Sequence, residues 1–235
     1  AAAGSLILKS APNCKYSKTS LGSRPALKIV PQDTHHSRTV IYLHGGGYVI
    51  GGFASHSKLA SWIAHTLNAH LWLPNYGLSP EHVFPFARNS ALACYRELLD
   101  SGVSGKDIIL AGDSAGGGLA LSTCIAIRDA GLPLPSSLIL LSPLVDLSLS
   151  GTTIESHAKR DDMLSLGFLK FGASAYAGEQ TLRDPGCSPL FADLSGLPPM
   201  LIQVGTEEML LDDSRRLAEK TVREKVDSKL EVYDN

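Results

Sequence analysis

The segment Gly112-Asp113-Ser114-Ala115-Gly116 is the most informative part of this 235-residue chain. Residues 108–111 before it have the length and composition of a buried strand, and residues 119–129 after it are typical of a helix. A Gly-x-Ser-x-Gly turn between a strand and a helix strains the backbone of its serine and presents the hydroxyl. The pattern therefore predicts a nucleophile elbow carrying Ser114. The alternative is a plain Gly/Ser turn, which the flanking elements disfavour.

A second glycine-rich segment lies upstream of the elbow. Residues 39–43 are predicted to form a buried strand that leads into His44-Gly45-Gly46-Gly47-Tyr48. Consecutive glycines let backbone N–H groups face a ligand, which is what an oxyanion hole requires. A flexible linker is disfavoured by the adjoining strand and Tyr48, and the spacing matches neither a dinucleotide fingerprint nor a P-loop. The segment predicts an oxyanion loop.

Five motifs carry a resemblance to a known family. In chain order they are His44-Gly45-Gly46-Gly47, Tyr76-Gly77-Leu78-Ser79-Pro80-Glu81-His82, Gly112-Asp113-Ser114-Ala115-Gly116-Gly117, Ser142-Pro143 and Gly196-Leu197-Pro198-Pro199. In this order, between about residues 39 and 234, the chain resembles the hormone-sensitive-lipase-like carboxylesterases of the α/β-hydrolase superfamily. One departure is Gly77, where the family usually carries an arginine, so the structure of that segment stays open.

The resemblance implies a serine carboxylesterase that hydrolyses short-to-medium acyl esters through an acyl-enzyme on Ser114. The backbone N–H groups of Gly46, Gly47 and Ala115 would form the oxyanion hole. The partner would be a small-molecule ester, and neither a cofactor nor a metal ion is expected. The alternative is a non-catalytic, receptor-like ligand-binding protein on the same fold, as some plant hormone receptors are. The intact serine, glycines and acid favour the esterase.

The triad acid is expected after the nucleophile, on the loop that follows a late strand. Residues 200–205 are predicted to form that strand. The family pattern of acid, any residue, Leu, any residue, Asp then falls on residues 208–212, which makes Glu208 the predicted acid and Glu207 its competitor. Acidic residues also cap helices, and Asp212 or Asp213 is expected to do so for a helix that runs to about residue 225.

The general base has no candidate in the expected place, because every histidine precedes Glu208. The eight are His35, His36, His44, His56, His65, His70, His82 and His157. In the hydrolase order the base follows the acid, on a loop after the last strand, here residues 229–234. We therefore expect the base to lie beyond Asn235 and the chain as given to be nearly inactive. Recruitment of an earlier histidine is the alternative.

The order of predicted elements indicates a single α/β-hydrolase domain over residues 1–235. Strands and helices alternate after a first hairpin, which predicts a mainly parallel central sheet with helices on both faces. The predicted strands are 26–30, 39–43, 71–75, 108–111 and 138–141, and the predicted helices are 57–67, 87–100 and 115–129. Residues 148–184, with an amphipathic stretch at 166–176, are predicted to form a lid-like insertion that walls the substrate pocket.

Both ends of the chain are expected to be shorter than in the family. The residues before His44 look like strands and turns, so an N-terminal lid is expected to be missing or reduced. The final strand-end loop with the catalytic histidine and the last helix are expected to be absent.

Composition argues against other classes of function. The chain is 44% hydrophobic with a net charge of −2, and without a basic cluster it is not expected to bind nucleic acid. Its apolar runs have strand length, so a membrane span is not expected. Four scattered cysteines suggest buried thiols in a reducing compartment and a cytoplasmic location. The oligomeric state, including a homodimer, stays open.

Overall fold

A computed structural model describes residues 9–32 and 38–234. Within these residues the strands are β1 (Cys14–Leu21), β2 (Arg24–Pro31), β3 (Thr39–Leu43), β4 (His70–Pro74), β5 (Ile108–Asp113), β6 (Ser137–Leu141), β7 (Met200–Gly205) and β8 (Ser228–Tyr233). They form one sheet in the order β1-β2-β4-β3-β5-β6-β7-β8. The pairs β1–β2 and β2–β4 are antiparallel and every other pair is parallel.

Helices connect the parallel strands. Among the described residues they are α1 (Phe53–Leu67), α2 (Phe86–Asp100), α3 (Ala115–Asp129), α4 (Thr153–Ser156), α5 (Leu166–Ala177) and α6 (Leu211–Arg223). Strand–helix–strand units with parallel strands place helices against the sheet faces. The mainly parallel sheet predicted from the alternation is confirmed.

Strand β3 shows why the centre of the sheet is covered on both faces. All of its residues are buried, and alternate side chains point to opposite faces. Val40 and Tyr42 pack in one apolar cluster with Ala60 of α1. Ile41 and Leu43 belong to the larger cluster that contains the inner faces of α2 and α3. Burial on two faces explains the continuous apolar run that marked this strand in the sequence.

The sequence analysis did not identify strand β1. Its residues are mostly polar and exposed, so it has no apolar period by which to recognise it. A tight turn joins it to β2, with φ of 60° at Gly22 and 59° at Ser23, as in type I′ hairpins. The predicted end of β5 was also too early, because Gly112 and Asp113 continue the ladder opposite Leu140 and Leu141 of β6.

Other predicted details are present in the structure. Helix α3 ends where predicted, with Gly131 at φ 64° and the amide of Leu132 bonded to the Ile127 carbonyl, which is a Schellman cap. The amphipathic stretch at 166–176 is α5. Of the four predicted buried thiols, Cys94, Cys124 and Cys187 are buried and free, whereas Cys14 is free but only half-buried.

None of the helices in the described parts of the chain is long and apolar enough to cross a membrane. Those parts also contain no cluster of three or more His, Cys, Asp or Glu side chains placed to hold a metal ion.

Candidate active site

The predicted elbow is present between β5 and α3. Ser114 has φ 51° and ψ −122°, a conformation that costs a residue with a Cβ on the order of 1–3 kcal/mol. The flanking glycines allow the close packing that holds it there. A Cβ on Gly112 would lie 2.3 Å from the Gly116 carbonyl oxygen, and a Cβ on Gly116 would lie 2.0 Å from the carbonyl oxygen of Leu43. Side chains at either glycine would separate the elbow from β3.

The glycine loop, residues 44–47, follows β3 beside the elbow. Gly46 and Gly47 have φ of 116° and 60°, which only glycine adopts readily. A Cβ on Gly46 would lie 2.1 Å from the carbonyl oxygen of Ile50, so close backbone approach also requires glycine. In the described part of the chain, the amides of Gly46 and Gly47 donate to no protein acceptor. They are free to donate to a ligand.

Asp113 connects the glycine loop to the elbow. Its Oδ1 accepts hydrogen bonds from the Gly45 amide at 2.9 Å and the Tyr42 hydroxyl at 2.6 Å. Its Oδ2 lies 3.4 Å from Nε2 of His56. Burial acts to raise the pKa of Asp113, but the hydrogen bond and charge of His56 and the bonds from Tyr42 and Gly45 outweigh it and lower the pKa. The carboxylate is therefore ionised and acts as an acceptor beside Ser114.

His44 belongs to the scaffold of the glycine loop. Its Nδ1 lies 2.8 Å from the Gly45 carbonyl oxygen, and its ring stacks on Tyr76 with 4.4 Å between centroids. The Tyr76 hydroxyl donates to the His44 carbonyl at 2.8 Å. Burial lowers the pKa of His44 to about 4. A neutral imidazole with so low a pKa is a weak general base at pH 7.

Helix α5 packs on the other side of the glycine loop. A Cβ on Gly172 would lie 2.5 Å from the Gly47 carbonyl oxygen, so helix and loop are in backbone contact. Tyr176 stacks on Tyr48 with 3.6 Å between ring centroids. A Cβ on Gly47 would lie 3.1 Å from the ring of Phe168. The glycine loop thus lies between α5 and the elbow.

These segments enclose a pocket of about 650 Å³. Predicted site residues Gly46, Gly47, Ser114 and Glu208 all line it. Ala115 is buried at the first position of α3, next to Ser114, where helix N–H groups have no partner within the helix. The remaining lining residues are Ile50, Leu59, Asp113, Leu141, Ser142, Arg160, Asp161, Asp162, Met163, Leu164, Phe168, Glu207 and Leu210.

The two candidate acids in the acid loop, residues 206–210, have different partners. Glu207 forms a two-point ion pair with the guanidinium of Arg160, with Nη2 and Oε1 2.5 Å apart. Glu208 is half-buried, and its Oε1 accepts a 2.6 Å hydrogen bond from the Gly205 amide. The amide of Met209 donates to the Asp161 carboxylate at 2.9 Å. Glu207 is thus paired with Arg160, whereas Glu208 forms no ion pair with the described residues.

The expectation that Asp212 or Asp213 caps α6 is wrong. The cap position is Leu210, and no side chain bonds the helix end there. Asp212 instead accepts bonds from the Thr152 hydroxyl and the Thr153 amide at 2.5 and 3.1 Å. Asp213 accepts the amides of residues 145–146 at 2.9 and 3.0 Å. Both acids lie in the first turn, but they bind distant backbone and anchor the start of α6.

Histidines do not line the pocket in the described part of the chain. Recruitment of an earlier histidine as base would fall on His44, His56, His82 or His157. His82 stacks on Phe86, and His157 bonds to Ser156. His35 and His36 lie outside the described residues.

The structure accounts for Gly77. It has φ 88°, and a Cβ there would lie 2.6 Å from the Phe86 ring. A different arginine approaches this segment, because the guanidinium of Arg24 lies 5.2 Å from the centroid of Phe86 and donates to the Asn75 carbonyl at 3.0 Å. The local backbone therefore requires glycine rather than a charged side chain.

Comparison with known sequences supports one family. Residues 40–235 match the family described as the alpha/beta hydrolase fold. An acetyl-hydrolase of Streptomyces hygroscopicus is 41% identical over 186 residues, which cover 79% of this chain and 62% of the relative. An esterase of Acinetobacter venetianus is 37% identical over 198 residues, covering 84% and 65%. The chain thus spans less than two thirds of the length of these two relatives.

Solved structures agree closely with this one. An esterase from the bacterial hormone-sensitive lipase family superimposes with a TM-score of 0.93 and 37% identity, covering 96% of this chain and 76% of that one. A hormone-sensitive lipase from a metagenome library gives a TM-score of 0.94 and 38% identity, covering 99% and 79%. The α/β-hydrolase fold expected from the motifs is confirmed, and the chain belongs to the hormone-sensitive-lipase family of α/β-hydrolase esterases.

Proposed function

We propose that the full-length protein is a serine carboxylesterase that forms an acyl-enzyme on Ser114. One observation carries this proposal: the strained serine shares a pocket with the free amides of Gly46 and Gly47 and with Glu208. The pocket walls are largely apolar, and its volume of about 650 Å³ suits a small ester with a short-to-medium acyl chain. The acetyl-hydrolase and esterase relatives support the same reaction class.

In the proposed mechanism, Ser114 Oγ attacks the ester carbonyl while the general base takes its proton. The carbonyl oxygen becomes an oxyanion that accepts hydrogen bonds from the amides of Gly46, Gly47 and Ala115. The base returns the proton to the alcohol, which leaves, and water activated by the same base releases the acid and regenerates Ser114. Glu208 orients the base and stabilises its charged form.

The proposed general base is a histidine beyond Asn235. Strand β8 runs parallel to β7, so both strands end at the same edge of the sheet. The Thr206 amide donates to the Tyr233 carbonyl at 2.8 Å, which brings the end of β8 beside the acid loop. The end of the sheet at Tyr233 is therefore close to the loop that carries Glu208. This supports a base from beyond Asn235, and the pocket's lack of a described histidine supports it too.

A non-catalytic ligand-binding protein on this fold is the competing function. The same pocket would serve a receptor, and the observation that favours it is the absence of a described histidine in the pocket. Turnover by the full-length protein separates the two functions, because a receptor would bind an ester without releasing the acid.

The nucleophile is tested by Ser114→Ala in the full-length protein. Alanine has no hydroxyl and cannot form an acyl-enzyme, so kcat for p-nitrophenyl butyrate should fall on the order of 10⁶-fold. Mass spectrometry of the wild type after treatment with an active-site phosphonate should find one adduct, on Ser114. Ser174→Ala is the matched control, since Ser174 is an exposed serine of α5. Equal labelling of Ser114→Ala and wild type would refute the assignment.

The acid is tested by paired substitutions in the acid loop. Glu208→Ala should lower kcat about 10³- to 10⁴-fold, because the base loses the carboxylate that orients it. Glu208→Asp should keep partial activity. Glu207→Ala should change kcat little, since Glu207 is engaged by Arg160. A damaging Glu207→Ala with a mild Glu208→Ala would show that the acid had been placed one residue too late.

The base is tested by comparing the 235-residue chain with the full-length protein. Without a base, only the oxyanion hole and binding remain, so the short chain should accelerate p-nitrophenyl acetate hydrolysis by roughly 10³ to 10⁴ over water. The full-length protein should be far faster. Comparable rates in two active proteins would show that His44, His56, His82 or His157 is the base. A folded full-length protein that binds esters without turnover would favour the receptor.

A further inference from the structure

His56 is a buried histidine to which the proposed triad gives no role. It lies on α1 with 5% of its surface exposed, and its Nε2 faces Oδ2 of Asp113 at 3.4 Å. Asp113 immediately precedes the nucleophile, and its other oxygen binds the Gly45 amide of the glycine loop. His56 thus reaches both the elbow and the glycine loop through a single residue, Asp113.

The hydrogen bonds of His56 show which ring nitrogen donates to Asp113. Ser55 Oγ lies 2.7 Å from His56 Nδ1 and 3.0 Å from the Gly52 carbonyl oxygen. The Gly52 carbonyl also accepts the His56 amide at 3.1 Å, so the Ser55 hydroxyl can serve Nδ1 either as donor or as acceptor. At the other side of the ring, Nε2–H donates to the carboxylate of Asp113. A carboxylate can only accept, so Nε2 carries a proton whichever role Nδ1 takes.

The other titratable groups around this pair are uncharged. The His44 ring lies 5.2 Å from the His56 ring, and burial lowers the pKa of His44 to about 4, so it is neutral. Burial raises the pKa values of Tyr42 and Tyr76 well above their ordinary value, so both phenols keep their protons. The Asp113 carboxylate therefore lies among neutral groups, and Nε2–H of His56 donates to its Oδ2.

We propose that His56 is a positioning residue for the oxyanion hole. Its Nε2–H holds Oδ2 of Asp113, which keeps Oδ1 on the amide of Gly45 and so sets the loop that carries Gly46 and Gly47. Without this donor, the Asp113 side chain is free to turn towards other donors or to take up a proton, and the Gly45 amide loses its acceptor. The Gly46 and Gly47 amides then shift relative to Ser114. The role assigned to His56 rests on the proposed esterase function.

The test uses His56→Ala in the full-length protein, with p-nitrophenyl butyrate as substrate. Burst titration counts working sites, so that kcat is expressed per active site and loss of folded protein does not enter. A displacement near 1 Å in a transition-state contact costs on the order of 10²-fold, so kcat per site should fall about 10- to 100-fold with KM within about twofold. His65→Ala is the matched control, since His65 is exposed on the same helix. It should match the wild type.

Two further variants separate positioning from packing. The amide of His56→Gln can reach Asp113 as Nε2 does, whereas that of His56→Asn can reach only the Ser55 side of the ring. Glutamine should restore most of the lost kcat and asparagine should not. In the Asp113→Asn background, His56→Ala should have little further effect, because His56 acts through Asp113.

Wild-type kcat per site in both His56→Ala and His56→Asn would overturn the positioning role, as would equal kcat for glutamine and asparagine. If His56→Ala gives no titratable protein, the glutamine–asparagine comparison decides. Lack of turnover by the wild type would refute the esterase proposal instead, so the two failures are distinguishable.

Discussion

The hydrogen bond from the Gly45 amide to the Asp113 carboxylate, 2.9 Å long, is the contact on which the rest of the site depends. It joins the end of β3 to the end of β5, two neighbouring parallel strands whose register pairs Leu43 with Gly112. At this edge the chain must place a strained serine beside a loop with unpaired amides. Neither conformation is stable alone, and the surrounding structure has to impose both.

Packing around this bond explains the small residues. Gly112 and Gly116 bring the elbow against β3, and Gly172 brings α5 into backbone contact with Gly47. The loop therefore lies between the elbow and α5, and His56 of α1 contacts the Asp113 carboxylate that accepts the Gly45 amide. Donors fixed before substrate arrives need no reorganisation during the reaction, which is the main advantage of an oxyanion hole over water.

The acid side of the pocket is fixed by a separate set of carboxylates. Asp161 holds the amide of Met209, Asp212 holds residues 152–153, and Asp213 holds residues 145–146. Burial, followed by repulsion from Asp146, raises the pKa of Asp213 to about 7, opposed by the two amide hydrogen bonds and by Arg216. The contacts of Asp161 and Asp212 tie the acid loop and the start of α6 to residues 152–161, and those of Asp213 tie the same helix to residues 145–146.

Much of this arrangement could be predicted from the sequence, because its signals are local. The elbow and the glycine loop each lie within a few residues of an apolar strand, and the alternation of strands and helices indicates the parallel sheet. The roles of Asp113, His56 and Asp213 could not be predicted in this way. Their partners lie more than 50 residues away in the chain. The local sequence around Asp213 predicts only a helix cap. Strand β1 lacked a signal because its polar residues are exposed.

The central claim is that the elbow and the glycine loop form one preorganised oxyanion site. The most direct test is a crystal structure of the full-length protein with a phosphonate bound to Ser114, whose phosphoryl oxygen mimics the oxyanion. The account predicts that this oxygen lies about 2.7–3.1 Å from the amide nitrogens of Gly46, Gly47 and Ala115. A phosphoryl oxygen directed to solvent, with those amides bonded elsewhere or to nothing, would contradict it.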